Sequence, residues 1–312
     1  MIPAHLQGRD FLRVNDWAPE ELTLVLDLAD DLKARHVKRE PHRHLEGRSL
    51  GMIFQKPSTR TRVSFEVGIA QLGGTGLYLA AGDLQLGRGE TIKDTAVVLS
   101  RYLDGIMIRT FAQADVDELA DHADIPVING LTDDFHPCQA LADVMTIHER
   151  LGGFEGVRVA YLGDGNNVCH SLMVASAKLG MDFVAATPPG YEPSAEVVGW
   201  ALAAAQANGT AVELTGDARA AATGADVLYT DVWTSMGQDE EREKRLADLA
   251  GYGIDAGLVA LASDRAIVLH CLPAHYGEEI AEDVLYGERS AVWDQAENRL
   301  HAQKALMALI IP

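Results

Sequence analysis

Three cations crowd one short stretch of an acidic chain. The run Gln55-Lys56-Pro57-Ser58-Thr59-Arg60-Thr61-Arg62-Val63-Ser64-Phe65 holds no acid, and its pattern predicts that it follows a strand and opens a helix. Ser58 suits the N-cap of that helix. Capping does not account for Arg60 and Arg62, because the first turn of a helix carries partial positive charge and repels cations. An anion seated there reconciles the two. Free backbone N–H groups, the hydroxyls of Ser58, Thr59 and Thr61, and the Arg60 guanidinium can together hold a phosphate or a carboxylate. The run is not a Walker loop, whose glycines are missing.

Two more residues of the first half can act on such a ligand. In His136-Pro137-Cys138-Gln139, Pro137 fits the first helical position and leaves His136 extended near the N-cap. The helix dipole there disfavours the imidazolium, so a neutral ring can donate a hydrogen bond to a substrate oxygen. A histidine that merely caps the helix is the plainer alternative. Arg109 ends an apolar run, at the carboxyl edge of a strand where open α/β sheets bind ligands. Its alternative is a surface charge at a strand end.

The second half offers three segments. Gly163-Asp164-Gly165-Asn166-Asn167-Val168 sits between a strand and a helix like a dinucleotide fingerprint. However, Val168 replaces the third glycine, and no acid closes the next strand, which argues against nicotinamide binding. Asn167 can still reach a polar ligand. Asp231-Val232-Trp233-Thr234-Ser235-Met236-Gly237 places a carboxylate just past a strand, followed by a loop suited to a mobile substrate contact. Its alternative is a turn closed by Asp231 on its own backbone. His270-Cys271-Leu272-Pro273 ends another strand, with Leu272 expected extended before Pro273. A zinc site from His136, Cys138, His270 and Cys271 is disfavoured by the ligand spacing. Cys271 is either one half of a Cys–His pair or a buried inert thiol. The charge run Asp239 to Arg245 reads as a solvated helix face.

These segments need strands and helices to hold them, and the two alternate almost throughout. Strands are expected at Ser49–Gln55, Leu77–Ala80, Gly105–Arg109 and Pro126–Asn129. A second series is expected at Val157–Leu162, Phe183–Ala186, Ala211–Leu214, Val227–Tyr229 and Ile267–Leu269, and a long helix from about Trp293 to Leu309 closes the chain. Such alternation implies mostly parallel sheets. The glycine-rich segment Leu151–Gly156 breaks the series, so we expect an α/β fold of two doubly wound parallel-sheet domains, 1–150 and 151–312, with a cleft between them. At 312 residues two domains of ordinary size fit. Twenty-six Lys plus Arg against 46 Asp plus Glu give −20, which disfavours sequence-independent binding to nucleic acid or anionic membrane. No apolar run approaches a membrane span, and Met1 to Arg13 lacks a signal-peptide pattern. Three cysteines without a CxxC pair predict no disulfide framework and a reducing, cytoplasmic setting.

Taken together, the Ser58-to-Arg62 run, His136-Pro137-Cys138-Gln139, Asp231 through Gly237, and His270 through Pro273 resemble the signatures of the aspartate/ornithine transcarbamylase family. The SMG loop and the HCLP segment have the form of its ornithine branch. The resemblance runs from about Phe11 to the end, including Asp294-Gln295-Ala296-Glu297-Asn298-Arg299. It implies carbamoyl transfer from carbamoyl phosphate to the δ-amine of L-ornithine, giving L-citrulline and phosphate in arginine metabolism. No cofactor and no metal is implied, because carbamoyl phosphate already carries the activated group. Acetylornithine or putrescine as acceptor, or a non-catalytic anion-binding protein on the same fold, are the competing readings.

By the same resemblance, Ser58, Thr59, Arg60, Thr61 and Arg109 hold the phosphate. Arg109 and His136 face the carbamoyl oxygen, Gln139 binds the carbamoyl amide, and Arg299 binds the same substrate from a C-terminal helix that packs back toward the first domain. Gln85 matches a loop that reaches a neighbouring subunit's site, which implies a homo-oligomer built on trimers. Some members carry a basic residue where Gly89 stands, and here Arg88 adjoins it. Asn167, Asp231, Ser235 and Met236 hold the amino-acid end of ornithine. Cys271 and Leu272 sit beside the reacting groups. The implied catalytic set is Arg60, Arg109, His136, Asp231 and Cys271.

Overall fold

The computed structural model of the protein describes residues 3–85, 89–234 and 239–312. Arg88, Ser235 and Met236, singled out above, lie outside the described residues. Helices and strands alternate in the order α1 (Pro19–Val37), β1 (Ser49–Phe54), α2 (Thr59–Gln71), β2 (Thr75–Ala80), α3 (Ile92–Leu99), β3 (Gly105–Arg109), α4 (Gln113–His122), β4 (Val127–Leu131), α5 (Pro137–Leu151). The series continues with β5 (Arg158–Leu162), α6 (Asn167–Lys178), β6 (Asp182–Ala186), α7 (Ala195–Asn208), β7 (Val212–Thr215), α8 (Ala218–Ala222), β8 (Val227–Thr230), α9 (Arg242–Asp248), α10 (Ala256–Val259), β9 (Ile267–His270), α11 (Glu282–Leu285) and α12 (Val292–Ile310). The chain forms two compact units. The first runs to Ala142 and takes in Asn298–Pro312; the second is Asp143–Glu297.

The first unit holds a parallel sheet in the order β2-β1-β3-β4. β1 and β3 are central and nearly wholly buried, which is why both read as continuous apolar runs and not as alternating ones. One face carries Ile53, Ile106, Ile108 and Val127 against Ala96, Val116 and Leu119 of α3 and α4. Within the same unit the end of α12 lies close over α2, where a Cβ added at Gly68 would meet Met307 Cε at 3.1 Å. Residues 10–12 cover the free edge of β4. Phe11 N donates to Val127 O at 2.9 Å and Asn129 N donates to Phe11 O at 2.9 Å. Val127 N donates to Asp10 Oδ1 at 2.7 Å and Asn129 Nδ2 to Leu12 O at 3.0 Å. The register aligns Phe54 of β1 with Arg109 of β3, so the segments after both strands leave the same edge of the sheet.

The second unit has a five-stranded parallel sheet, β7-β6-β5-β8-β9. Ala160, Leu162, Val184, Leu228 and Val268 pack against Ala221, Ala222, Leu258 and Leu285 from α8, α10 and α11. In each sheet the order reverses once, at β1/β3 and at β5/β8. Ligands of open α/β sheets bind outside the carboxyl ends of strands at such switch points. The expected elements are all present, with ends shifted by at most three residues.

Candidate active site

In the first unit the segments after β1, β3 and β4 carry the candidate anion-binding residues. Ser58 is the N-cap of α2, with its hydroxyl accepting from Thr61 N at 3.3 Å. Arg62 has local partners of its own. It bonds Glu66 at 3.3 Å one turn on, and its guanidinium lies 3.9 Å from the Tyr78 ring centroid. Arg60, in the same turn, lies close enough to His136 for its charge to act on that ring. Lys56 is buried, paired with Asp133 and set 4.3 Å from the Phe111 ring, so it holds the neighbouring loop. Thr110 Oγ1 donates to Gln55 Oε1 at 2.7 Å, and Gln55 N donates to Arg109 O at 2.9 Å. These bonds lock the ends of β1 and β3 together.

Arg299, on α12, is buried. It donates to three neutral oxygens: Gln139 Oε1 at 2.7 Å, Thr61 Oγ1 at 3.2 Å and Gln303 Oε1 at 3.3 Å. These bonds fix the guanidinium among side chains of α2, α5 and its own helix. His136 is buried beside these cations. Burial first, then the charges of Arg299, Arg109 and Arg60, hold its imidazolium well below the ordinary value. The ring is neutral, as its place at a helix start suggests, but burial and three arginines dominate. Burial pushes the Cys138 thiol up to about 12, which makes it an inert core group. Arg60, Arg109, His136 and Arg299 thus share one charged neighbourhood, and Arg299 ties in Thr61 and Gln139. Ser58 and Thr59 adjoin them at the helix start. Gln85 is exposed.

In the second unit the segments after β5, β8 and β9 converge. Gly163 adopts φ +123°, and a Cβ at Gly165 would lie 2.4 Å from Pro193 N, so the turn after β5 needs both glycines. Asn166 caps α6, its Oδ1 accepting from Val168 N at 3.0 Å and Cys169 N at 3.2 Å. Its Nδ2 donates to Asp231 Oδ2 at 2.8 Å. The other carboxylate oxygen, Oδ1, accepts from Cys271 Sγ at 2.7 Å and from Val232 N at 2.7 Å. Asp231 is buried and Cys271 half-buried. Asn167, half-buried, begins α6 beside them.

His270 is oriented by its neighbours. Nδ1 accepts from Leu272 N at 2.8 Å, so the proton sits on Nε2, which faces Glu279 Oε1 at 3.2 Å. Leu272 is not extended as expected. It has φ +57°, because its N–H turns back to His270 and reverses the chain directly after β9. The charge run after residue 239 also differs from expectation. Arg245 is buried, pairs with Asp164 and stacks 5.0 Å from Tyr191. Its Nε donates to Trp233 O, so it fastens the segment after β8 to the turn after β5.

Two groups of described residues bring metal-ligating atoms within 4.8 Å of one another: Asp231, His270 and Cys271, and His275, Glu278 and Glu279. In the first, both His270 nitrogens and the Cys271 thiol already have hydrogen-bond partners, so it is not arranged as an open ligand set. Sequence reasoning missed Asn166, Tyr161, Arg245 and Glu279. Asn166 was the most accessible of these, since an Asn just before a helix is a standard cap. Arg245 was hidden inside a solvated-looking run.

The aspartate/ornithine carbamoyltransferase carbamoyl-P binding domain profile matches residues 9–149, and the family's Asp/Orn binding domain profile matches residues 155–310. An ornithine carbamoyltransferase of Oceanobacillus iheyensis is 56% identical over 306 residues, covering 98% of this chain and 95% of that one. The solved structure of ornithine carbamoyltransferase from Pyrococcus furiosus superposes with a TM-score of 0.96 at 56% identity, over 98% of both chains. Anabolic ornithine carbamoyltransferase from Campylobacter jejuni gives 0.89 at 38% identity, over 96% and 97%. With both halves matched by profiles of one family and each sheet carrying its polar cluster at the switch point, the chain belongs to the aspartate/ornithine carbamoyltransferase family.

Proposed function

We propose that the protein transfers the carbamoyl group of carbamoyl phosphate to the δ-amine of L-ornithine, giving L-citrulline and phosphate in arginine synthesis. The observation that carries this reading is the buried Asp231 carboxylate bonded to Cys271 at the switch point of the second unit. A buried carboxylate attracts the cationic amino group of ornithine and repels a second carboxylate such as that of aspartate. The first unit is its electrical opposite, with Arg60, Arg109 and Arg299 around His136, and suits a phosphate.

In this reading residues 1–150 take carbamoyl phosphate and residues 151–312 take ornithine, except that the end of the last helix, which belongs to the first unit, brings Arg299 to carbamoyl phosphate. Ser58, Thr59, Arg60 and Thr61 bind the phosphate with Arg109. Neutral His136 and Arg109 donate to the carbamoyl oxygen, where negative charge grows in the tetrahedral state. Gln139, oriented by Arg299, receives the carbamoyl amide. Asn167, Asp231, Ser235 and Met236 hold ornithine, with Cys271 and Leu272 beside the reacting atoms. The neutral δ-amine attacks the carbamoyl carbon, the new C–N bond forms, the C–O bond to phosphate breaks, and the surplus proton on the nitrogen leaves with the phosphate. In water that amine holds its proton to a pKa near ~10.4, so the site must select its neutral form. No cofactor enters the scheme.

Gln85 would act across a subunit boundary in a trimer. The edge strand β2 exposes Leu77 and Tyr78, and α2 exposes Val63 and Val67, an apolar surface that supports self-association. None of the described helices is long and apolar enough to cross a membrane. The test is ureido product formation from carbamoyl phosphate with ornithine, acetylornithine, putrescine and aspartate in parallel. Turnover confined to ornithine is expected. Turnover with another amine would discard the Asp231 reading and keep the anion site, and no turnover at all would discard the activity.

A further inference from the structure

Asp231 has one hydrogen-bond partner that the reaction scheme leaves unexplained, the Asn166 amide. An aspartate at a strand end can rotate about χ1 and χ2, and only one rotamer points its free lone pairs at a substrate amine. Here both oxygens are fixed. Oδ1 is held by Cys271 and Val232 N, and Oδ2 by Asn166 Nδ2 at 2.8 Å. The orientation of Asn166 is itself determined. Val168 N, Cys169 N and the Tyr161 hydroxyl, at 3.0, 3.2 and 3.0 Å, all converge on one atom of its amide. Three donors require that atom to be the oxygen, which turns the NH2 group toward Asp231.

Tyr161 is suited to this task. It is fully buried on β5, stacked on Tyr229 with centroids 5.6 Å apart and planes 21° apart. Tyr229 OH accepts from Gln295 Nε2 at 3.1 Å, so the stack is anchored on its far side. Burial, reinforced by Asp231, keeps the Tyr161 phenol protonated well beyond its ordinary range, so it remains a donor at any working pH.

We propose that Asn166, oriented by Tyr161, is a positioning residue that sets the Asp231 carboxylate in the rotamer that receives the ornithine amino group. The proposal rests on the ornithine reading above. It separates two roles of one side chain. The Asn166 oxygen caps α6 and supports the fold, and the Asn166 nitrogen serves Asp231 and supports substrate binding.

Three variants separate them. Asn166→Ser keeps a capping oxygen and removes the amide donor. Asn166→Ala removes both, and Tyr161→Phe removes only the hydroxyl that selects the amide orientation. Steady-state kinetics for each substrate and thermal unfolding are measured on all three and on wild type. For Asn166→Ser we expect KM for ornithine to rise about 10- to 100-fold, as for loss of a hydrogen bond to a charged group. KM for carbamoyl phosphate and Tm should stay near wild type. Asn166→Ala should show the same KM change together with a lowered Tm. Tyr161→Phe should raise KM for ornithine about 3- to 10-fold. Unchanged ornithine KM in Asn166→Ser and Tyr161→Phe overturns the proposal, as does a parallel loss for both substrates that tracks Tm. A wild-type protein that does not carbamoylate ornithine refutes the activity itself, a result distinct from either.

Discussion

Acid should destabilise the first unit through a buried histidine of α12 that the reaction scheme does not use. His301, on α12, is fully buried, and its ring lies 5.6 Å from that of His36. Burial first, then the charges of Lys304 and Lys33 and the neighbouring His36 and His42, lower its pKa from 6.5 to about 3. The unfolded chain takes up a proton on this residue below 6.5, and the folded chain does not until about 3. Stability is therefore intact above 6.5 and is lost progressively as pH falls toward 3. Between about pH 7 and about pH 5 the loss integrates to roughly 2 kcal/mol, a substantial share of a typical total of about 5–15 kcal/mol. Urea unfolding at both pH values, on wild type and on His301→Gln, isolates the effect, because every other titrating group is common to both proteins. Wild type should lose about 2 kcal/mol more than His301→Gln over that interval. Equal losses would refute the assignment of His301 as a buried neutral imidazole.

Three further outcomes are expected. Arg60→Ala should weaken binding of a phosphate analogue about 100-fold or more, as for loss of a charge-assisted contact, with the fold intact by circular dichroism; unchanged binding in calorimetry would remove Arg60 from the anion site. Arg245→Ala should destabilise by about 3 kcal/mol, because it leaves the largely buried Asp164 unpaired, and adding Asp164→Asn should recover part of the loss in urea unfolding. By NMR, His136 should not titrate near its ordinary 6.5, and Arg299→Gln should move its titration upward; an unmoved midpoint would show that burial alone keeps the ring neutral.

The regular structure was legible because its signals are local. Short apolar runs such as Gly105–Arg109 and Ile267–Leu269, too short for a helix, read as buried strands, and Pro137 and Ser58 mark helix starts by their own chemistry. The charged cluster around His136 was legible in part, because Arg60 contradicts its surroundings at the positive end of a helix. It was illegible where the meaning lies in a distant partner. Arg245 is one more charge in a charged run until Asp164, 81 residues earlier, draws it inside. Leu272 was placed in the wrong region because the rule for a residue before proline describes sterics alone, and His270 supplies an acceptor that a local rule cannot see. The dominance of burial at His136 likewise depends on Arg109 and Arg299, which no window around residue 136 contains.

The cover over β4 also bears on how this protein must be handled. Residues 10–12 satisfy the backbone of Val127 and Asn129 at an edge that would otherwise be open. Removing them by proteolysis, or displacing them with a bulky N-terminal fusion, would bare a flat strand with unsatisfied N–H and C=O groups, a template for intermolecular pairing. Chains nicked before Leu12 should thus precipitate with their catalytic residues intact, so activity lost on storage can reflect wear at a terminus and not damage at the site.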